Sequence, residues 1–321
     1  GKTICLTTNE QSPVSLGQCQ TVVTTERRRK RILREPGAVT AQDELRLVNF
    51  PTEAALLADV EARLRAGKGF AIATLNLDHV VKMRRNPAFL RAYRAHSHVV
   101  ADGNPIVWMA HLAGRRDVAL VPGSELIEPM AALAARLGTP LAFLGSTETV
   151  LKAAADRLEA DHPGLKVAAC LAPPYGFDPE SAAADAMLDE VAASGARICL
   201  LALGAPKQEL LAARGIARHP QLGFLSIGAG LDFIAGHQKR APVWVRKIAM
   251  EWLWRMLSNP RRLARRYLDC ALVLPSLAGQ ALSARGKPDG RDVPLSSGRG
   301  TSPCCFMGRR HGVAGQARVR R

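Results

Sequence analysis

Short apolar runs, none longer than a buried strand, recur through the middle of this chain and alternate with stretches of helical periodicity. They fall at residues 71–75, 99–101, 141–144, 166–171, 198–203 and 224–227. Strands that are separated by helices cannot close into hairpins. They pair in parallel through crossovers, and the helices then cover the sheet. The run 198–203 is apolar throughout, which fits a central strand covered on both faces. The expected architecture is α/β: a Rossmann-like, mostly parallel sheet between helices. In such sheets ligands bind outside the carboxyl ends of the strands.

The residues that close these runs are therefore the first candidates for function. Residues 71–75 deliver Thr74 and Asn76 to that edge, and residues 99–101 deliver Asp102, followed by Gly103-Asn104-Pro105. A carboxylate beside a glycine that admits a ligand to the backbone suits a general base. The same Asp102 also suits a helix cap, with proline in the first turn. Thr52 starts a helix whose Leu56, Leu57, Val60 and Leu64 share one face, and Gly67 stops it. Ser124, in Pro122-Gly123-Ser124-Glu125, is expected to cap a further helix. Gly145-Ser146 fits either a phosphate cradle at a helix N-terminus or a plain turn with a serine cap. Gly228-x-Gly230 resembles a dinucleotide fingerprint, but it follows the last strand and has Phe233 where the third glycine belongs.

The formal net charge of +16 calls for a negatively charged partner: nucleic acid, an anionic membrane or a phosphorylated substrate. Its distribution defines the expected segments. Residues 1–44 carry the run Arg27-Arg28-Arg29-Lys30-Arg31 and read as a disordered basic leader. Residues 45–236 form the α/β core. Residues 237–283 form a basic amphipathic helical appendage, in which Arg246, Lys247, Arg255, Arg261, Arg262 and Arg265 interleave with Trp244, Trp252 and Trp254. That pattern suits an interfacial helix on anionic lipid, or arginine forks on a diphosphate, or a helix packing its tryptophans on the core. Pro260 is expected to split it into two helices. Residues 284–321 read as a disordered basic tail. The seven cysteines show no metal spacing, and Cys170 and Cys199, inside apolar runs, read as buried thiols. No apolar segment is long enough to span a bilayer, and the opening residues lack the layout of a signal peptide, so a soluble or peripheral protein is expected.

Taken together the motifs resemble a known family. Thr74-x-Asn76, Asp102-Gly103, Pro122-Gly123-Ser124-Glu125-Leu126 and Gly204-Ala205-Pro206-Lys207-Gln208-Glu209 occur in its order. Gly228-Ala229-Gly230-Leu231-Asp232-Phe233, Arg240-Ala241-Pro242, Glu251-Trp252-Leu253-Trp254-Arg255 and Pro260-Arg261-Arg262 follow. The chain is similar to the WecG/TagA/CpsF glycosyltransferases over residues 45–274. The resemblance implies an inverting, metal-independent enzyme of cell-surface polysaccharide synthesis, working without a cofactor. It would move a sugar (N-acetylmannosamine-like, glucose or uronic acid) from a UDP-sugar to a polyprenyl-diphosphate-linked saccharide. The implied place is the cytoplasm, peripheral on the inner face of the bacterial plasma membrane, with a homo-oligomer left open. By the same resemblance Asp102 is the catalytic base, with Thr74, Asn76 and Gly103 beside it. Gly204, Gln208 and Asp232 belong to the nucleotide-sugar side. Arg255, Arg262 and Arg265 neutralise the diphosphate from the appendage. One position departs: the family's arginine three residues before Gly123 is Leu120 here, with Arg115 and Arg116 nearby. A catalytically impaired sugar-nucleotide-binding relative is therefore a second reading. A basic nucleic-acid-binding protein is a third, although the sequence holds no recognised nucleic-acid motif.

Overall fold

The computed structural model describes residues 44–236 and 260–285, the first five residues of the latter stretch by backbone alone. In chain order the elements are α1 (Glu53–Arg65), β1 (Phe70–Leu75), α2 (Leu77–Arg85), α3 (Pro87–Ala95), β2 (His98–Ala101), α4 (Asn104–Leu112) and α5 (Ile127–Leu137). They continue as β3 (Leu141–Gly145), α6 (Glu148–Asp161), β4 (Val167–Leu171), α7 (Ala182–Ala193), β5 (Ile198–Ala202), α8 (Lys207–Arg218), β6 (Gly223–Ser226), α9 (Gly230–Ile234) and α10 (Pro260–Ala284). The six strands form one parallel sheet in the order β2-β1-β6-β5-β3-β4.

Strand side chains alternate between faces, and the core divides accordingly. Ile72, Phe143, Leu200 and Leu225 pack under α1, α5 and α6. Ala71, Leu144, Cys199 and Phe224 pack under α7 and α8. Ala73, Leu75 and Ala101 meet α2, α3 and α4. The apolar runs thus become strands because both faces of the sheet are roofed. Thr52 caps α1 by accepting from the Ala55 N–H at 3.2 Å, and Leu56, Val60 and Leu64 are buried, as their spacing predicts.

The helix α10 lies against α2 and α4, with Leu277 and Ala281 fully buried beside Leu75 and Val107. Burying a leucine is worth about 2 kcal/mol. The Arg85–Asp269 pair between α2 and α10 is water-exposed and screened, so it adds little to this apolar contact.

Three local expectations need correction. Ser124 does not cap α5, which starts at Ile127. Residues 122–125 form a hydrogen-bonded turn, Glu125 N–H donating to Pro122 O at 2.9 Å, because Gly123 is pressed against the sheet. After β3 the cap is Thr147, which accepts from the Val150 N–H; Ser146, at φ 56°, is spent on the turn. Cys170 is exposed, on the edge strand β4, whereas Cys199 on central β5 is buried. Pro260 opens α10, but the tryptophan stretch before it, the leader and the tail lie outside the described residues.

Candidate active site

All six strands point the same way, so their closing residues gather along one edge. Leu75 pairs with Ala101, which puts the last residues of β1 and β2 side by side. The Asp102 N–H donates to Leu75 O at 2.8 Å, extending the ladder by one rung. The Thr74 hydroxyl then donates to Asp102 Oδ2 at 3.3 Å. Gly103, at φ 104°, takes the cap position of α4, and Asp102 stands one residue before it, half-buried at the edge. Asn76 caps α2, its Oδ1 accepting from the His79 N–H at 3.0 Å. Thr74, Asn76, Asp102 and Gly103 therefore form one cluster.

Thr74 is held from beneath as well. Tyr93 on α3 donates its hydroxyl to Thr74 O at 3.0 Å, which leaves the phenol oxygen to accept from His79 Nδ1. Burial, chiefly, keeps both groups neutral. It pushes the Tyr93 phenol well above its usual range and the His79 imidazole down to about 3. From above, Gly123 packs closely enough that a side chain there would crowd its neighbours. A Cβ there would stand 3.1 Å from Thr74 Cγ2 and 3.2 Å from Ser226 O. The 122–124 turn thus closes on Thr74 and on the end of β6.

The second cluster is built from β5, β6 and α8. Gln208, buried at the start of α8, accepts from the Gly228 N–H at 3.0 Å and donates through Nε2 to Glu209 Oε1 at 2.8 Å. Glu209 is wholly buried, and burial lifts its carboxyl to about 7. Gly228, at φ 58°, bends the chain into α9, which carries half-buried Asp232. A Cβ at Gly230 would stand 2.5 Å from Ile127 Cδ1, so the start of α9 sits against the first residue of α5.

A charged bridge joins the two clusters. Lys82 on α2 donates to Ala205 O at 3.0 Å, within the Gly204-Ala205-Pro206 turn, and pairs with Asp78 at 2.7 Å. Arg266 of α10 meets the other Asp78 oxygen at 3.1 Å. The structure therefore brings Gly204, Gln208 and the chain leading to Asp232 onto the edge that also holds Asp102. Arg265 does not join them in the same way: it is exposed on α10, and its neighbour Arg266 makes the contact. Arg255 and the Arg262 side chain lie outside the described residues. Leu120 is 40% exposed, and Arg115 donates to Val48 O at 2.7 Å, on the segment leading to α1.

Sequence reasoning missed Lys82, Asp78, Tyr93, His79 and Glu209. The Asp78…Lys82 spacing of four and the place of Glu209 next to Gln208 were available signals. Tyr93 reads only as one apolar position of a helix. Among the described residues there is no group of three or more His, Cys, Asp or Glu side chains arranged to hold a metal ion, and no helix is long and apolar enough to cross a membrane.

The family model described as glycosyl transferase WecG/TagA/CpsF matches residues 45–287, three quarters of the chain.

Proposed function

We propose a specific transfer for this chain, which belongs to the WecG/TagA/CpsF family of glycosyltransferases. It moves a sugar from a UDP-sugar onto a hydroxyl of a polyprenyl-diphosphate-linked saccharide, with inversion at the anomeric carbon. The observation that carries the reading is the Asp102 carboxylate, fixed by Thr74 at the carboxyl edge of the sheet. The acceptor oxygen forms a bond to the anomeric carbon as the bond from that carbon to the UDP oxygen breaks. The electron pair leaves with the β-phosphate, and the acceptor proton passes to Asp102. Attack opposite the leaving group inverts the centre. Asn76 spends its carbonyl oxygen on the cap of α2, so its amide NH2 is the group suited to a sugar hydroxyl.

The departing diphosphate needs fixed positive charge when no metal supplies it. Basic residues of the C-terminal segment, Arg255, Arg262 and Arg265, fill that role in this reading, as the family resemblance implies. The donor binds toward Gly204, Gln208 and Asp232. A lipid-anchored acceptor does not leave the bilayer, so the enzyme works on the membrane surface, the basic segment facing anionic lipid. The setting is cell-surface polysaccharide synthesis.

Leu120 and the engagement of Arg115 with Val48 O favour one alternative: a member that binds the sugar nucleotide but transfers poorly. A panel of UDP-sugars, assayed for UDP release with and without a short lipid-diphosphate acceptor, separates the two. Acceptor-dependent release from one donor supports transfer. Donor binding without release from any of them supports the alternative.

A further inference from the structure

Gln208 is 3% exposed, and both ends of its carboxamide are engaged inside the protein. The two ends of an amide have nearly the same shape, so their orientation is set by their partners. The Gly228 N–H can only donate and must face the oxygen. A carboxyl oxygen that accepts must face the NH2. Glu209 Oε1, 2.8 Å from Gln208 Nε2, is such an acceptor. Without it the buried NH2 loses its partner, and a flipped amide would set NH2 against the Gly228 N–H.

We propose that Glu209 is a positioning residue. Its carboxyl oxygen locks the Gln208 carboxamide so that Oε1 holds the Gly228 N–H, and thereby sets the turn that carries Asp232. The Ile227 N–H on Leu201 O and the Gly230 N–H on Ile227 O, each at 3.1 Å, flank the turn, and Gly228 between them, at φ 58°, is held through its own N–H by Gln208 Oε1. The turn's far end is seated on Ile127 through Gly230. The role asks only for an acceptor oxygen. Glu209 Oε2 has no hydrogen-bond partner, and the ionised and neutral acid both keep an oxygen for Gln208. The charged and titratable groups acting on Glu209 are Lys82 and Asp78 on α2 and Tyr93 on α3. That the turn serves the donor rests on the transfer reading above; that Glu209 holds the turn does not.

The test is amide hydrogen exchange at Gly228 in the full chain, read by NMR without substrate, against Leu200 and Phe224 as core references. Glu209→Gln, which keeps an acceptor oxygen, is expected to exchange at the wild-type rate. Glu209→Leu is expected to speed Gly228 exchange about tenfold or more while the references hold. Where a donor turns over, Glu209→Leu should raise its KM about tenfold with kcat within about threefold, and Glu209→Gln should leave both near wild type. Gln208→Met should expose Gly228 to the same degree, and the double variant with Glu209→Leu should add nothing further. Wild-type protection of Gly228 in Glu209→Leu overturns the proposal. So does a Glu209→Gln variant that behaves as Glu209→Leu, or additive effects in the double variant. Should Glu209→Leu loosen the core amides too, Glu209→Gln and Gln208→Met decide: protection in the first and local exposure in the second uphold the assignment, and any other pair of results overturns it. Because exchange is read without turnover, absence of transfer by the wild type would defeat the functional reading and leave this result standing.

Discussion

Thr74 on β1 donates its hydroxyl to the Asp102 carboxylate at the end of β2, 3.3 Å away across the parallel ladder. The Tyr93 hydroxyl on Thr74 O and the Gly123 turn over its methyl hold the donor in place from both sides. The carboxylate is thus aimed by the sheet itself.

Thr74→Val keeps the β-branched shape and removes that donor. Turnover is expected to fall about tenfold through kcat, because a misaligned base acts on the transition state. Thr74→Ser should keep most of the activity. The check is steady-state UDP release for the three proteins. Equal kcat in wild type and Thr74→Val would show that Asp102 needs no alignment from β1.

Lys82 links α2 to the Gly204-Ala205-Pro206 turn through Ala205 O. Lys82→Met keeps the stem and loses the donor. Donor KM is expected to rise about five- to tenfold with kcat little changed, the pattern for lost binding alone. Asp78→Asn, which weakens the grip on both Lys82 and Arg266, should act in the same direction. An unchanged KM in both variants would separate this bridge from donor binding.

Much of this architecture is legible in the sequence, and the reason is the apolar runs. A run such as 198–203 has few ways to be buried other than as a central strand, and strands so spaced must cross over in parallel. Candidates at the closing residues follow from that alone. The contacts between them do not. Thr74 and Asp102 lie 28 positions apart, and only the Leu75–Ala101 register makes them neighbours. Ser124 reads as a cap because a polar residue before an apolar helix gives the same pattern whether or not the glycine before it is needed for close packing. Arg265 and Arg266 differ by a rotation of about 100° on a helix, and composition cannot choose which one meets Asp78. Glu209 is a charged residue in a first helical turn, which ordinarily means solvent; its burial depends on how α8 lies over β6 and β1.

Stability should carry the mark of that burial. The Glu209 carboxyl is lifted from 4.5 to about 7, so between those pH values the folded chain holds a proton that the unfolded chain releases. Stability from this group is full below about 4.5 and is lost as pH rises through about 7. Glu209→Gln removes the dependence. Relative to wild type it should gain on the order of 3 kcal/mol between pH 4.5 and pH 8. Urea unfolding across that range measures it. His79 and His96, pulled down to about 3 and about 4 by burial, destabilise the fold as pH drops below about 6.5, but they do so in both proteins and cancel in the difference. A pH-independent difference would mean that Glu209 titrates normally.

Metal independence has its own check. Fixed positive charge at the diphosphate is the alternative to a bound cation. Turnover in excess EDTA is expected to match turnover without it. Loss of activity that magnesium or manganese restores would assign the diphosphate to a metal.

The central claim is that Asp102 takes the acceptor proton, and Asp102→Asn tests it most directly. The amide keeps the shape and accepts the Thr74 hydrogen bond, but it cannot serve as the base. In acceptor-dependent UDP release, kcat is expected to drop on the order of a hundredfold or more, with UDP affinity unchanged by direct titration. Near-wild-type turnover in Asp102→Asn would contradict the account and leave Asp102 as a structural residue at the head of α4.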